Sequence, residues 1–220
     1  MFISLEYRYA FVHIPKTAGS SVEQAFGLLG PWDQENLVTG FGLIQSRDLL
    51  ARNLSSNFLQ HLRLSELEAL FPSAFDGTEI FTVVRDPWTR LLSSFCNPDP
   101  DLANYYRYQT HGELSNLSLA EYIDVARWLP HPHLNLQLSL LTRQNSSSID
   151  PRVRVFHQEN LAELEQWLSQ YCGHPIQLPH HNPARRARPA LTEAEWTELE
   201  QQVRWLYAAD SQVLGYATRG

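Results

Sequence analysis

Phe11 to Phe26 reads FVHIPKTAGSSVEQAF, and the fold turns on how this stretch is read. Tyr9–Ile14 is aromatic and β-branched, the make-up of a short buried strand. Pro15 ends the ladder because it has no N–H to give. Gly19 allows a tight turn or a close backbone approach. Ser20 and Ser21 suit a helix N-cap, and Val22–Leu29 continues at helix-compatible spacing. A strand, a small-residue loop carrying one lysine and a helix start make an anion cradle, in which free amides and the positive end of the helix dipole face the ligand.

Of the 17 basic residues in the chain, Lys16 is the only lysine. A compact ammonium on a flexible stem follows a moving oxygen better than a rigid guanidinium fork does. The loop is not a Walker A motif, because G-x-x-x-x-G-K-[ST] is absent.

Outward from this loop, strand and helix signals alternate. Asn57–Leu62 reads as a short strand, and Ser65-Glu66-Leu67-Glu68 as a capping box opening a helix to Phe71. Asp76-Gly77 turns the chain into a strand over Glu79–Arg85. Pro87 opens a helix to about Phe95, with Trp88, Leu91, Leu92 and Phe95 as a core-facing stripe. Leu102–Asn116, with Tyr105, Tyr106 and Tyr108, reads as a polar aromatic loop suited to lining an acceptor site. Ser118–Glu121 is a second capping box, and Leu134–Leu141 is an apolar run of unassigned type. Arg152–His157 alternates as a strand. Asn160–Tyr171 is a capped helix with Gly173 just beyond it, and Thr192–Glu195 caps a last long helix to about Tyr207. Gly30-Pro31-Trp32 and Gly40-Phe41-Gly42 interrupt a stretch that shows no domain boundary. The pattern predicts an α/β fold, a P-loop-like parallel sheet flanked by helices, as one domain over residues 1–220. Ligands of such sheets bind beyond the carboxyl ends of the strands, where Lys16 and Arg85 fall.

Composition narrows the function. A 220-residue chain with 43% hydrophobic and 19% charged residues is an ordinary globular protein. Its net charge of −7 excludes a general nucleic-acid binder, whose footprint is basic. Cys96 and Cys172 form no metal spacing and are expected as free thiols of a reducing compartment. No apolar run is long enough to span a membrane, and the first strand leaves no room for a signal peptide ahead of it. A cytoplasmic enzyme is expected.

HIPKTAGSS resembles the 5′-phosphosulfate-binding loop of the sulfotransferase family 2 group, which includes the Golgi carbohydrate sulfotransferases. Phe81-Thr82-Val83-Val84-Arg85-Asp86-Pro87-Trp88-Thr89-Arg90-Leu91-Leu92-Ser93-Ser94-Phe95 resembles the family's 3′-phosphate-binding segment. Val155–Leu161, Leu178–Asn182 and Tyr207–Tyr216 are similar to three later family segments. The resemblance implies transfer of a sulfonate from 3′-phosphoadenosine 5′-phosphosulfate (PAPS) to an acceptor hydroxyl, with no metal and no covalent intermediate. The absence of a membrane anchor departs from the Golgi relatives and puts a secreted polysaccharide acceptor in doubt.

By this resemblance Lys16 meets the bridging and terminal oxygens of the phosphosulfate. Thr17, Ala18, Gly19, Ser20 and Ser21 hold the 5′-phosphate, and Arg85 and Ser93 take the 3′-phosphate. In-line displacement also needs a base for the acceptor proton, and histidine is the natural choice near neutral pH. His61, at the end of the second predicted strand, is the leading candidate, with His131 or His133 in reserve and His13 as a loop-orienting residue. From the late basic loop, Asn182 matches the family pattern. One of Arg185, Arg186 and Arg188 grips the nucleotide, with Arg186 taken as its representative. The histidine pairs 131/133 and 180/181 lack the partners of a zinc site.

Two other readings stand beside this one. A nucleotide kinase is opposed by the missing Walker A loop and the absence of an obvious Mg²⁺-binding Asp. A non-catalytic nucleotide-binding or interaction protein of the same fold is the second. The acceptor stays open between a small molecule, a lipid-linked sugar and a glycan intermediate.

Overall fold

A computed structural model describes residues 2–4, 6–27, 42, 54–56, 58–142, 148–179 and 186–217. Among these are four strands: β1 (Phe2–Ser4), β2 (Tyr9–Val12), β3 (Glu79–Val84) and β4 (Val153–His157). The α-helices are α1 (Gly19–Ala25), α2 (Leu64–Leu70), α3 (Pro87–Cys96), α4 (Pro100–Thr110), α5 (Leu119–Trp128), α6 (Leu138–Leu141), α7 (Leu161–Cys172), α8 (Glu193–Leu206) and α9 (Ala208–Val213). The chain folds as two compact units, one of Met1–Val84 with Gln137–His181 and one of Arg85–Leu136 with Asn182–Gly220.

The first unit carries the sheet, in spatial order β1-β2-β3-β4. β2 pairs parallel with β3, Tyr9 opposite Glu79 and Val12 opposite Thr82. β3 pairs parallel with β4, Ile80 opposite Val153 and Val84 opposite His157. β1 joins β2 antiparallel. Every residue of β2 is buried, as a strand covered on both faces requires. Tyr9, Phe11, Phe81, Val83 and Phe156 form one core with Val22 of α1 and with Leu164 and Leu168 of α7. This is the α/β architecture that the sequence predicts, with helices against a mostly parallel sheet.

The second unit is helical. The expected stripe of Trp88, Leu91, Leu92 and Phe95 is buried against Leu102 and Tyr106 of α4, Tyr122 and Ile123 of α5, and Leu199 and Val203 of α8. Arg90, on the same helix, is 2% exposed. Its guanidinium donates to the carbonyls of Asn135 (2.9 Å), Pro132 (3.1 Å) and His133 (3.4 Å). Burial lowers its pKa, with Tyr207 and Asp210 acting in the opposite direction.

Several local expectations are corrected. Asn57 lies outside the described residues, and Leu59–His61 is a 3₁₀ turn rather than the end of a strand. Leu59, Gln60, His61 and Leu62 are all buried, so the run lacks the period of two that makes a strand. Leu102–Asn116 is not a loop: α4 begins at Pro100 with Asp99 as its cap, accepting from the Asp101 amide. The Asp99-Pro100 pair is a helix start. Tyr106 is therefore core, while Tyr108 is 78% exposed. Ser65 does not cap α2. The helix begins at Leu64, and Glu66 reaches back to the Arg63 amide at 2.7 Å. The boxes at Ser118–Glu121 and Thr192–Glu195 form as expected. The apolar run Leu134–Leu141 contains the short α6. The strand β1 and the helix α9 carry no sequence signal that announces them. Most of the stretch 28–53 lies outside the described residues. No helix among the described residues is long and apolar enough to cross a membrane.

Candidate functional site

β2 delivers the chain at its carboxyl end into His13-Ile14 and the turn Pro15–Ala18, and α1 starts at Gly19. Neither Ser20 nor Ser21 caps this helix. Its N-cap is Ala18, held in the left-handed region (φ 76°) with no side-chain cap, and the Ala18 carbonyl accepts from the amides of Ser21 (3.0 Å) and Val22 (3.2 Å). Lys16 is left-handed too, at φ 70°. Each such residue costs about 1–2 kcal/mol, and strain of this kind persists only where the surroundings enforce it. Left-handed residues stand at 16 and again at 18, and turns that bring in left-handed residues are among the backbone forms that make anion-binding nests.

The surroundings supply that enforcement. Thr17 is fully buried, and its hydroxyl donates to the Ile14 carbonyl at 2.8 Å. The His13 ring fills the space beside Gly19, where an added Cβ would lie 2.1 Å from its Cδ2. Gly19 is thus required by close approach rather than by its φ. The Nδ1–H of His13 donates to Glu23 Oε1 at 2.6 Å, and both residues are buried.

His61 lies against this assembly. Its ring meets the His13 ring edge-on, with centroids 4.9 Å apart. Its Nδ1–H donates to the His13 carbonyl across 3.4 Å, which leaves the lone pair on Nε2. The structure so brings Lys16, Thr17, Ala18, Gly19, Ser20, Ser21, His13 and His61 together in the first unit. His61 arrives there from a turn and not from a strand end.

In the second unit, Asp86 caps α3, its Oδ1 accepting from the Thr89 amide at 3.0 Å. Arg85 Nε donates to the Thr89 hydroxyl at 3.1 Å, and that hydroxyl donates to the Asp86 carbonyl at 3.1 Å. Ser93 lies one turn beyond Thr89 on the partly exposed side of the helix, away from the buried stripe. Thr89 and Ser93 lie at i, i+4 on one face of α3, and Arg85 reaches Thr89 from just before the helix cap.

A model of the sulfotransferase family matches residues 1–134, which hold both motifs. The chain belongs to the sulfotransferase family. The membership that the two motifs imply is thereby shown, and it supports a transferase that moves a sulfonate group. No curated protein and no solved structure is significantly similar to the chain.

The remaining candidates of this sulfotransferase have local structural partners. His131 accepts the His133 amide on Nδ1 at 3.3 Å and donates from Nε2 to Asp101 at 3.1 Å, so both ring nitrogens are occupied. His133 Nε2 stands 3.9 Å from Asp99. The Arg186 guanidinium stacks 4.1 Å from the centre of the Phe95 ring and donates to the Leu117 carbonyl at 2.7 Å. Arg188 is exposed. His180, His181, Asn182 and Arg185 lie outside the described residues. Among the described residues no group of three or more His, Cys, Asp or Glu side chains is arranged to hold a metal ion. Cys96 and Cys172 are unpaired.

Two residues escape sequence reading: Glu23, which reads as one more polar residue on a short helix, and Thr89, whose i+4 spacing from Arg85 is the one signal for it. Ala18 is among the residues that the resemblance implies, but nothing in an alanine announces its left-handed conformation.

Proposed function

We propose that the protein transfers a sulfonate from PAPS to a hydroxyl of a carbohydrate or small-molecule acceptor by in-line displacement. The observation that carries this reading is the nest-like loop Pro15–Ala18 with the chain's single lysine, set within the matched family segment. Loop amides and the Ser20 and Ser21 hydroxyls bind the 5′-phosphate. The Lys16 ammonium neutralises the leaving phosphate as the S–O bond breaks, where fixed cations act most strongly. Arg85, oriented by Thr89, and Ser93 bind the 3′-phosphate, as the family resemblance implies. His61 takes the acceptor proton on Nε2, with Nδ1–H held by the His13 carbonyl.

Calorimetric titration of the wild type and Lys16→Ala with adenosine 3′,5′-bisphosphate and with adenosine 5′-monophosphate tests the donor. A strong preference for the bisphosphate that the substitution weakens is expected. Equal or absent binding of both nucleotides would refute the donor assignment.

A further inference from the structure

Glu23 has no place in the donor assignment, yet it is 1% exposed. Buried carboxylates are rare without a partner that repays their desolvation. Its Oε1 accepts from His13 Nδ1 at 2.6 Å. Its Oε2 has no partner among the described residues, so the bond to His13 is what the described structure gives this side chain.

His13 in turn touches both parts of the first-unit site. Its ring occupies the slot at Gly19, between a strand end and a loop with left-handed residues at 16 and 18. Its carbonyl accepts from His61 Nδ1, and its ring abuts the His61 ring. An imidazole held at Nδ1 by a carboxylate has one orientation and one tautomer. Without that hold the ring can turn out of the Gly19 slot, and the loop loses the packing that enforces its strained backbone.

We propose that Glu23 is a positioning residue which, acting through His13, holds the Pro15–Ala18 loop in its anion-binding shape and sets the orientation of His61. The role rests on the donor reading above, but the loop's order can be measured without any nucleotide. What Glu23 contributes is a hydrogen-bond acceptor at one point. Glutamine retains that acceptor, alanine removes it, and aspartate falls short of it by one methylene.

The test compares Glu23→Gln, Glu23→Asp and Glu23→Ala by amide hydrogen exchange and by titration with adenosine 3′,5′-bisphosphate. In the Asp and Ala variants the amides of Thr17 and Ala18 are expected to exchange at least tenfold faster, while those of Phe81 and Val83 in β3 keep wild-type protection. Bisphosphate affinity falls at least tenfold in the same two variants, and Gln restores both quantities to within threefold. Should Ala fail to fold, Asp carries the comparison. Unchanged loop exchange in the Asp variant overturns the proposal whatever happens to binding, and so does a loss in Gln equal to that in Asp. If the wild type binds no bisphosphate while loop exchange responds as stated, the donor reading fails and the positioning role stands.

Discussion

Arg204 of α8 forms an ion pair with Asp86, Nη1 to Oδ2 at 3.0 Å, and Asp86 is the residue that caps α3 directly after Arg85. Glu200 holds the other side of the same guanidinium at 2.8 Å. Burial opposes the charge on Arg204, but the bonds to Glu200 and Asp86 outweigh it and raise its pKa. A helix of one sequence region thereby anchors the start of another, two residues from the Thr89 amide that the same carboxylate caps. Removing the arginine leaves a largely buried carboxylate without this partner. Arg204→Leu is expected to lower stability by about 1.5–3 kcal/mol, the usual range for a hydrogen bond to a charged group. Denaturant unfolding measures it, and an unchanged midpoint would show the pair to be inconsequential.

Gly19→Ala probes the slot filled by His13. An added Cβ lies 2.1 Å from Cδ2 and 2.2 Å from Nε2 of a ring that is itself buried and tethered to Glu23. The ring must move, because alanine cannot. Overpacking of this kind costs about 1–3 kcal/mol. The variant should melt earlier than the wild type and lose bisphosphate affinity by more than tenfold. Retained affinity in Gly19→Ala would mean that the loop does not depend on the position of His13.

Lys16 allows backbone strain to be separated from charge. Its φ of 70° is one that glycine adopts freely and alanine does not. Lys16→Gly and Lys16→Ala both delete the ammonium, and both are expected to lose donor affinity to the same extent. They should differ in stability, with Gly above Ala by about 1 kcal/mol after allowing for its greater freedom in the unfolded chain. Thermal melts of the two variants decide the point, and an Ala variant at least as stable as Gly would argue that the left-handed conformation carries no strain.

The alkaline limb of stability reports on Tyr207. Burial, first of all, pushes its pKa up from 10.0 to about 12, with Arg90 lowering it and Asp210 raising it. Its hydroxyl donates to the Leu134 carbonyl. A phenol whose folded pKa is raised stabilises the fold fully below its unfolded value. That contribution is lost as pH climbs through the folded value, here between 10 and about 12. Tyr207→Phe should cost about 1 kcal/mol at neutral pH and flatten the decline of stability over that interval. Urea titrations from pH 9 to 12 would show it, and parallel declines in the two proteins would remove Tyr207 as a contributor.

The parts of the fold that were legible in the sequence are those with local physical causes. Pro87, Gly173 and the boxes at Ser118 and Thr192 act through their own backbone or through one neighbouring turn, and each does what its chemistry predicts. The turn between β2 and α1 was legible as a place, because a strand, a proline and a glycine stand in order, but its conformation was not. The left-handed Ala18 sits between the Thr17–Ile14 bond and the His13 ring packed on Gly19, contacts that no local signal in the sequence announces. His61 reads as a strand end but stands on a 3₁₀ turn. It reaches His13 across 48 residues of chain, a separation that no periodicity in the sequence encodes. Tyr105, Tyr106 and Tyr108 look alike in sequence, whereas α4 turns Tyr106 into the core and Tyr108 to solvent.

The choice between His61 and His131 as the base gives opposite signatures. His131 has both ring nitrogens engaged, by the His133 amide and by Asp101, so it serves the turn that follows α5. His131→Ala should lower stability while leaving turnover per folded molecule within about threefold, since a surrounding network and no proton transfer is lost. His61 has Nδ1–H committed to a backbone carbonyl and Nε2 as its basic atom. On the proposed mechanism its removal deletes the proton acceptor, an effect of about 10²–10⁴ on rate. His61→Ala is therefore expected to bind adenosine 3′,5′-bisphosphate as the wild type does and to lose sulfonate transfer by at least a hundredfold, measured by release of adenosine 3′,5′-bisphosphate from PAPS with a hydroxyl acceptor. Near-normal turnover in this variant, with loss in His131→Ala instead, would move the base to the second unit and leave His61 a packing partner of His13.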